Sequence, residues 1–157
     1  MTDPKIFQDE ITERIFKKAM KAATGQHLFV FNDMPEANIL ESFKNNLYDF
    51  LQNDVKQPAI QFTLPERGNV TVVLDKMKEQ KNALFGSSDL KGLIALAMIE
   101  DSDQAQHYNF ICDSLVAPGI KMVYILPDKQ LIKNMRDLNS RSRLTIHVDA
   151  KKGLAVL

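Results

Sequence analysis

Four short apolar runs in this chain each give way to an acidic residue set to open a helix or a turn, and that layout limits the folds open to it. The clearest is Leu93-Ile-Ala-Leu-Ala-Met-Ile99, which passes directly into Glu100-Asp101-Ser102-Asp103. The others are Leu28-Phe-Val-Phe31 before Asp33, Val70-Thr-Val-Val-Leu74 before Asp75, and Val123-Tyr-Ile-Leu126 before Asp128. An unbroken apolar run of this length suits a strand buried on both faces. Strands that hand over to helices in this way describe an open α/β sheet, whose ligand sites lie at the carboxyl ends of its strands. The expectation is a single α/β domain over residues 1–157. It has a mixed sheet of about six or seven strands flanked by helices, a parallel strand–helix–strand unit over 93–126 and a C-terminal hairpin.

The flanking elements are read from caps and periodicity. Asp3 as cap, Pro4 in the first turn and Gly25 at the end predict a first helix. Its stripe is Phe7, Ile11, Ile15 and Ala19, with Phe16, Met20 and Ala23 beside it. A strand over His27–Asn32 precedes a helix from Asp33 to about Gln52, opened by a capping box of Asp33 and Glu36 and buried through Leu40, Phe43, Leu47 and Leu51. Ile60, Phe62 and Leu64 alternate with polar residues and predict a hairpin that turns at Pro65–Asn69 into a strand at Val70–Leu74. A short exposed helix over Asp75–Phe85 and a loop at Gly86–Asp89 follow. Asp103 and Gln106 have capping-box spacing for the next helix, whose buried face is Tyr108, Ile111, Cys112 and Leu115. Ala117-Pro-Gly119 stops it before a strand at Ile120–Leu126. A fourth helix carries Leu131, Ile132, Met135 and Leu138, and a hairpin pairs Leu144–Val148 with Leu154–Leu157 around Asp149–Gly153.

Composition narrows the function classes. Twenty basic and twenty acidic residues cancel, so no global field draws the chain to nucleic acid or anionic lipid. The single cysteine, Cys112, excludes an intrachain disulfide, fits a reducing compartment and falls on an apolar helix face, where a thiol is packing material. The opening Met-Thr-Asp-Pro-Lys lacks the layout of a secretion signal, and the run at Leu93 is too short to span a bilayer. A cytoplasmic protein without membrane contact is expected. Neither Gly86-Ser-Ser nor Ala117-Pro-Gly119 has the pattern of a phosphate-binding loop, and His27, His107 and His147 lack metal-ligand spacing.

Two charge features remain. If the strands ending near Asn32, Ile99 and Leu126 run parallel, Asp33, Asp101, Asp103 and Asp128 leave one edge of the sheet, where grouped carboxylates suit Mg²⁺. The metal candidates are Asp101, Asp103 and Asp33; helix capping is the competing use of the same side chains. Glu100 to Asp113 carries four acids and no Lys or Arg, whereas Lys129 to Lys152 carries seven basic and two acidic residues. Lys133, Arg136, Arg141 and Arg143 are the candidate binding residues there, for phosphates or for an acidic partner surface, including a second copy. No aromatic residue follows Tyr124, so a stacking platform for single strands is missing.

The segment Leu93–Asp128, with Asp101-Ser102-Asp103 closing a buried strand before a helix and another strand, resembles a Toprim domain. The resemblance implies Mg²⁺-dependent phosphoryl transfer on nucleic acid, with Asp101 and Asp103 as metal ligands. That family also carries a glutamate at the end of an earlier strand, and here the corresponding stretch is Phe31-Asn32-Asp33. The leading expectation is a non-enzymatic protein-interaction module that needs no cofactor: an accessory subunit, adaptor or regulator with a protein partner. The alternative is a Toprim-like enzyme or an inactive relative of one, with Mg²⁺.

Overall fold

The computed structural model describes residues 6–22, 25–65, 69–136 and 144–157. Six strands form one sheet: β1 (Gly25–Phe31), β2 (Ala59–Gln61), β3 (Ile94–Met98), β4 (Lys121–Leu126), β5 (Thr145–Val148) and β6 (Ala155–Val156). Their order is β2-β3-β4-β1-β5-β6; every pairing is parallel except the terminal β5–β6 hairpin. The helices are α1 (Glu10–Met20), α2 (Ala37–Phe50), α3 (Val70–Phe85) and α4 (Ser102–Val116). A π-helical turn at Leu51–Val55 extends α2, and a 3₁₀ helix at Lys129–Met135 follows β4. This is the expected α/β sheet with its parallel β3–α4–β4 unit and C-terminal hairpin. Among the described residues, no helix is long and apolar enough to cross a membrane.

The sheet is covered on both faces because the crossover that leaves β1 lies on one face and those that leave β2, β3 and β4 lie on the other. From β1 the chain passes over two strands to the far edge and then steps back through β2, β3 and β4. On one face Leu28, Val30, Ala95, Ala97, Met122, Tyr124 and Leu126 pack against α3, α4 and the 3₁₀ helix. On the other, Phe29, Phe31, Ile94, Leu96, Val123, Ile125 and Ile146 pack against α1 and α2. All seven residues of β1 are buried, the condition of a central parallel strand. The second face is aromatic: Phe16 meets Phe29 edge-on at 5.2 Å between ring centroids, and Phe43 meets Phe31 at 5.4 Å.

The first helix begins later than predicted. Its cap is Asp9, whose carboxylate accepts from the Thr12 N–H at 2.7 Å; Asp3, Pro4 and Ala23 lie outside the described residues. Ile6 to Gln8 instead run alongside β6, where Gln8 N–H donates to the Ala155 carbonyl and Ala155 N–H to that of Ile6, each at 2.8 Å. The buried face is Thr12, Phe16 and Met20, so Ile11 and Ile15 point to solvent and Gly25 opens β1.

The predicted middle hairpin does not form. Val70–Phe85 is one helix, capped by Asn69, whose side chain accepts from the Val72 N–H at 3.0 Å. It buries Val73, Met77 and Lys81, one turn apart, so tertiary packing overrides the β preference of Val-Thr-Val-Val. β2 pairs in parallel with β3 instead, and residues 66–68 of the predicted turn lie outside the described residues. The fourth helix is the seven-residue 3₁₀ segment, which buries Leu131 and Met135; Leu138 also lies outside the described residues.

Candidate functional site

Ligands of doubly wound sheets settle at the carboxyl ends of strands where successive crossovers leave for opposite faces. Here that place is the end of β1, between β4 and β5. A cleft of about 690 Å³ opens beside it, lined by Asn32, Asp33, Met34, Glu36, Ile39, Asp149, Ala150 and Lys151.

Hydrogen bonds tie the two walls together and brace the turn at Asp149. Asn32 N–H donates to the Val148 carbonyl, and the Asn32 side-chain oxygen accepts from the Ala150 N–H, both at 2.9 Å. One oxygen of Asp149 accepts from the N–H groups of Lys151 and Lys152 at 2.8 and 2.9 Å. These two bonds, that of Lys152 first, hold the Asp149 carboxyl below the usual carboxylate range. The turn closes through Gly153 N–H on the Asp149 carbonyl at 2.8 Å, with Gly153 at φ +66°, where a side chain would be strained. The opposite wall is Asn32-Asp33-Met34-Pro35-Glu36, the link from β1 to α2. It has no glycine and two carboxylates, which makes it a poor phosphate cradle and a good counterpart for cations. Met34, 68% exposed, adds an adaptable apolar surface.

Of the predicted metal candidates, only Asp33 lies in this cleft. The predicted capping box of Asp33 and Glu36 does not form; α2 starts after Glu36 without a side-chain cap. Asp101, not Asp103, caps α4: its carboxylate accepts from the Gln104 N–H at 2.9 Å while the Gln104 side chain accepts from the Glu100 N–H at 2.8 Å. Asp103 sits in the first turn of that helix. Strand β4 separates β3, which leads to Asp101 and Asp103, from β1, which leads to Asp33, so the two strands lie about two strand spacings, roughly 10 Å, apart. Among the described residues no three His, Cys, Asp or Glu side chains form a group that could hold a metal ion. Asp128 caps the 3₁₀ helix through the Gln130 N–H at 2.9 Å. Lys133 and Arg136 are exposed on and just after that helix, whereas Arg141 and Arg143 lie outside the described residues.

Sequence reasoning missed Asn32, Asp149 and Lys151 as site residues. Asp149 ends a strand as Asp33 does, but its nearness to Asp33 comes from the parallel pairing of β1 with β5.

A different set of buried polar groups lies among the strands. Lys121 is 2% exposed; its ammonium donates to the Met20 carbonyl at the end of α1 and to the Gln57 side chain at 2.8 Å. It therefore serves as a buried cap for the α1 C-terminus. His27 is buried beside it. Its Nδ1 accepts from the Leu144 N–H at 3.1 Å, so the ring is neutral with its proton on Nε2, which has no hydrogen-bond partner among the described residues. Burial first, and the Lys121 charge second, lower the His27 pKa to about 4. Tyr124 donates to Gln26, which donates to the Cys112 carbonyl, each at 2.9 Å. These groups secure the sheet to its helices and do not reach the cleft.

Compared with known proteins, the chain matches no family model, no curated protein and no solved structure.

Proposed function

We propose that this chain is a non-enzymatic protein-interaction module, an accessory or regulatory subunit that receives a cationic segment of a partner protein in the cleft between β1 and β5. The observation that carries this reading is the lining of that cleft. Asp33, Glu36 and Asp149 face a single lysine, Lys151, beside the apolar Met34 and Ile39. Lys or Arg side chains satisfy such carboxylates while their aliphatic stems cover the apolar part. The hydrogen-bonded turn at Asp149–Gly153 reduces the ordering cost of binding on its wall.

The test is a ¹⁵N NMR titration with a short Arg/Lys-rich peptide, repeated with inorganic phosphate and with Mg²⁺. Saturable shifts confined to residues 32–39 and 149–151, weakened by salt and by an Asp33→Asn/Glu36→Gln double variant, are expected. Peptide shifts absent from this cleft would overturn the reading. Mg²⁺ shifts centred on Glu100–Asp103, abolished by Asp101→Asn, would replace it with the metal-dependent one.

A further inference from the structure

β2 ends the sheet at the edge opposite β6, and among the described residues no strand lies along its outer side. The Pro58 carbonyl accepts from Ile94 N–H at 2.9 Å and Phe62 N–H donates to the Leu96 carbonyl at 2.8 Å. Residues 58, 60 and 62 therefore turn their backbone groups to β3, and those of Ala59 and Gln61 point outward. Such an edge is a template for a further strand. Its sequence suits that use, because Ala59-Ile-Gln-Phe-Thr-Leu64 carries no charge. There is also room beside it: a groove of about 520 Å³ is lined by Gln61, Phe62 and Thr63 and by Lys76, Glu79 and Gln80 of α3.

Both outward carbonyls are already taken. The Tyr48 hydroxyl, carried by α2, donates to the Ala59 carbonyl at 3.1 Å. The Gln80 side-chain amide, carried by α3, donates to the Gln61 carbonyl at 2.7 Å, where the N–H of an adjoining strand would stand. Because α2 and α3 cover opposite faces of the sheet, the two side chains reach the edge from both sides. We infer that Tyr48 and Gln80 form a clasp that keeps β2 from pairing with β2 of a second copy of this chain. Identical uncharged edges can meet antiparallel about a two-fold axis, but here each must first give up both bonds and clear both side chains from its path. Gln80 is the decisive member. Ala59 is wholly buried, whereas Gln61 is half-buried and Thr63 exposed, so an incoming strand meets the edge first at Gln61. The cleft lies at the end of β1, beside β5, so the clasp stands or falls apart from the proposed function.

The experiment is sedimentation velocity over a concentration series, with circular dichroism as the check on folding and amide hydrogen exchange to locate the contact. Gln80→Ala removes the amide and keeps a strong helix former, while Tyr48→Phe removes only the hydroxyl. With each lost bond worth roughly fivefold, Gln80→Ala should associate at about fivefold lower concentration than the wild type and the double variant at about 25-fold lower. Exchange at the Gln61 and Thr63 N–H groups should slow as either variant associates. Gln80→Lys, which keeps a donor and adds a charge at the edge, should associate no more readily than the wild type. If the double variant does not fold, Gln80→Ala alone decides the matter. A folded Gln80→Ala protein that associates no more readily than the wild type would overturn the clasp. So would association that leaves exchange at Gln61 and Thr63 unchanged, or a Gln80→Lys protein that associates as the alanine variant does.

Discussion

Protonating His27 should destabilise this protein from within the sheet, and the size of the effect follows from its surroundings. In the fold the ring is neutral, accepts from Leu144 N–H and sits beside the Lys121 ammonium. In the unfolded chain it titrates near its ordinary 6.5, against about 4 when folded. Below 6.5 the unfolded chain therefore binds a proton that the folded chain refuses, so stability falls as the pH falls. This contribution is complete above pH 6.5 and is lost as the pH drops toward 4. The interval of about 2.5 units (6.5 less 4) corresponds to about 3 kcal/mol in full, of which about 2 kcal/mol is gone by pH 5. The assay is urea denaturation of the wild type and of His27→Asn between pH 7.5 and 5. Asparagine keeps an acceptor near the Nδ1 position and does not titrate. The variant starts less stable, because it loses buried volume, but its stability should fall by about 2 kcal/mol less over that interval. Parallel pH profiles for the two proteins would refute the reasoning, since His27 would then titrate alike folded and unfolded.

Three further outcomes are expected. Asp101→Ala removes the α4 cap and should cost about 1 kcal/mol in thermal or chemical denaturation, with Asp103→Ala costing clearly less, which distinguishes the observed cap from the predicted one. Phe16→Ala empties the centre of the aromatic face, where Phe16 touches Phe7, Phe29 and Phe50, and should cost about 3–5 kcal/mol by calorimetry. Phe110→Lys should leave the stability within about 0.5 kcal/mol of the wild type in chemical denaturation, because the ring is almost wholly exposed.

The elements legible in the sequence were those whose local signals agreed. The run at Leu93–Ile99 is bounded by Gly92 on one side and Glu100-Asp101 on the other, and Pro118-Gly119 separates α4 from β4. Propensity, pattern and punctuation there allow one answer. At Val70–Leu74 they disagreed: β-branched residues suggested a strand, while Val70, Val73, Leu74 and Met77 already followed the helical period across the boundary at Asp75. The start of the first helix was misplaced because Ile6 and Phe7 are claimed by β6, a partner nearly the whole chain away. The cleft was half legible for the same reason. Strand-end logic reached Asp33, but residues 144–148 read as one arm of a hairpin and gave no sign of lying against β1. Parallel pairing is non-local, and no turn chemistry announces it. Capping explained Asp101 and Asp128, the competing use of those side chains, with the α4 cap two residues earlier than its expected place.

The strip formed by Ile6–Gln8 and β6 has a consequence for the order in which the fold can be made. β6 lies between β5 and a segment near the opposite end of the sequence: Ala155 bonds Ile6 and Gln8 on one side, and the Leu154 carbonyl accepts from Asp149 N–H on the other. The edge beyond β5 therefore stays unfinished until residue 156 is free to move. A ribosome that has released β1 to β5 holds a nascent chain whose Phe7 has no strand to lie against and whose β5 offers an open edge to other chains. Completion must come after synthesis of the last strand and must join the most sequence-distant contacts in the sheet, the slowest kind to form. Exposure to chaperones, and to aggregation, should be concentrated in that interval.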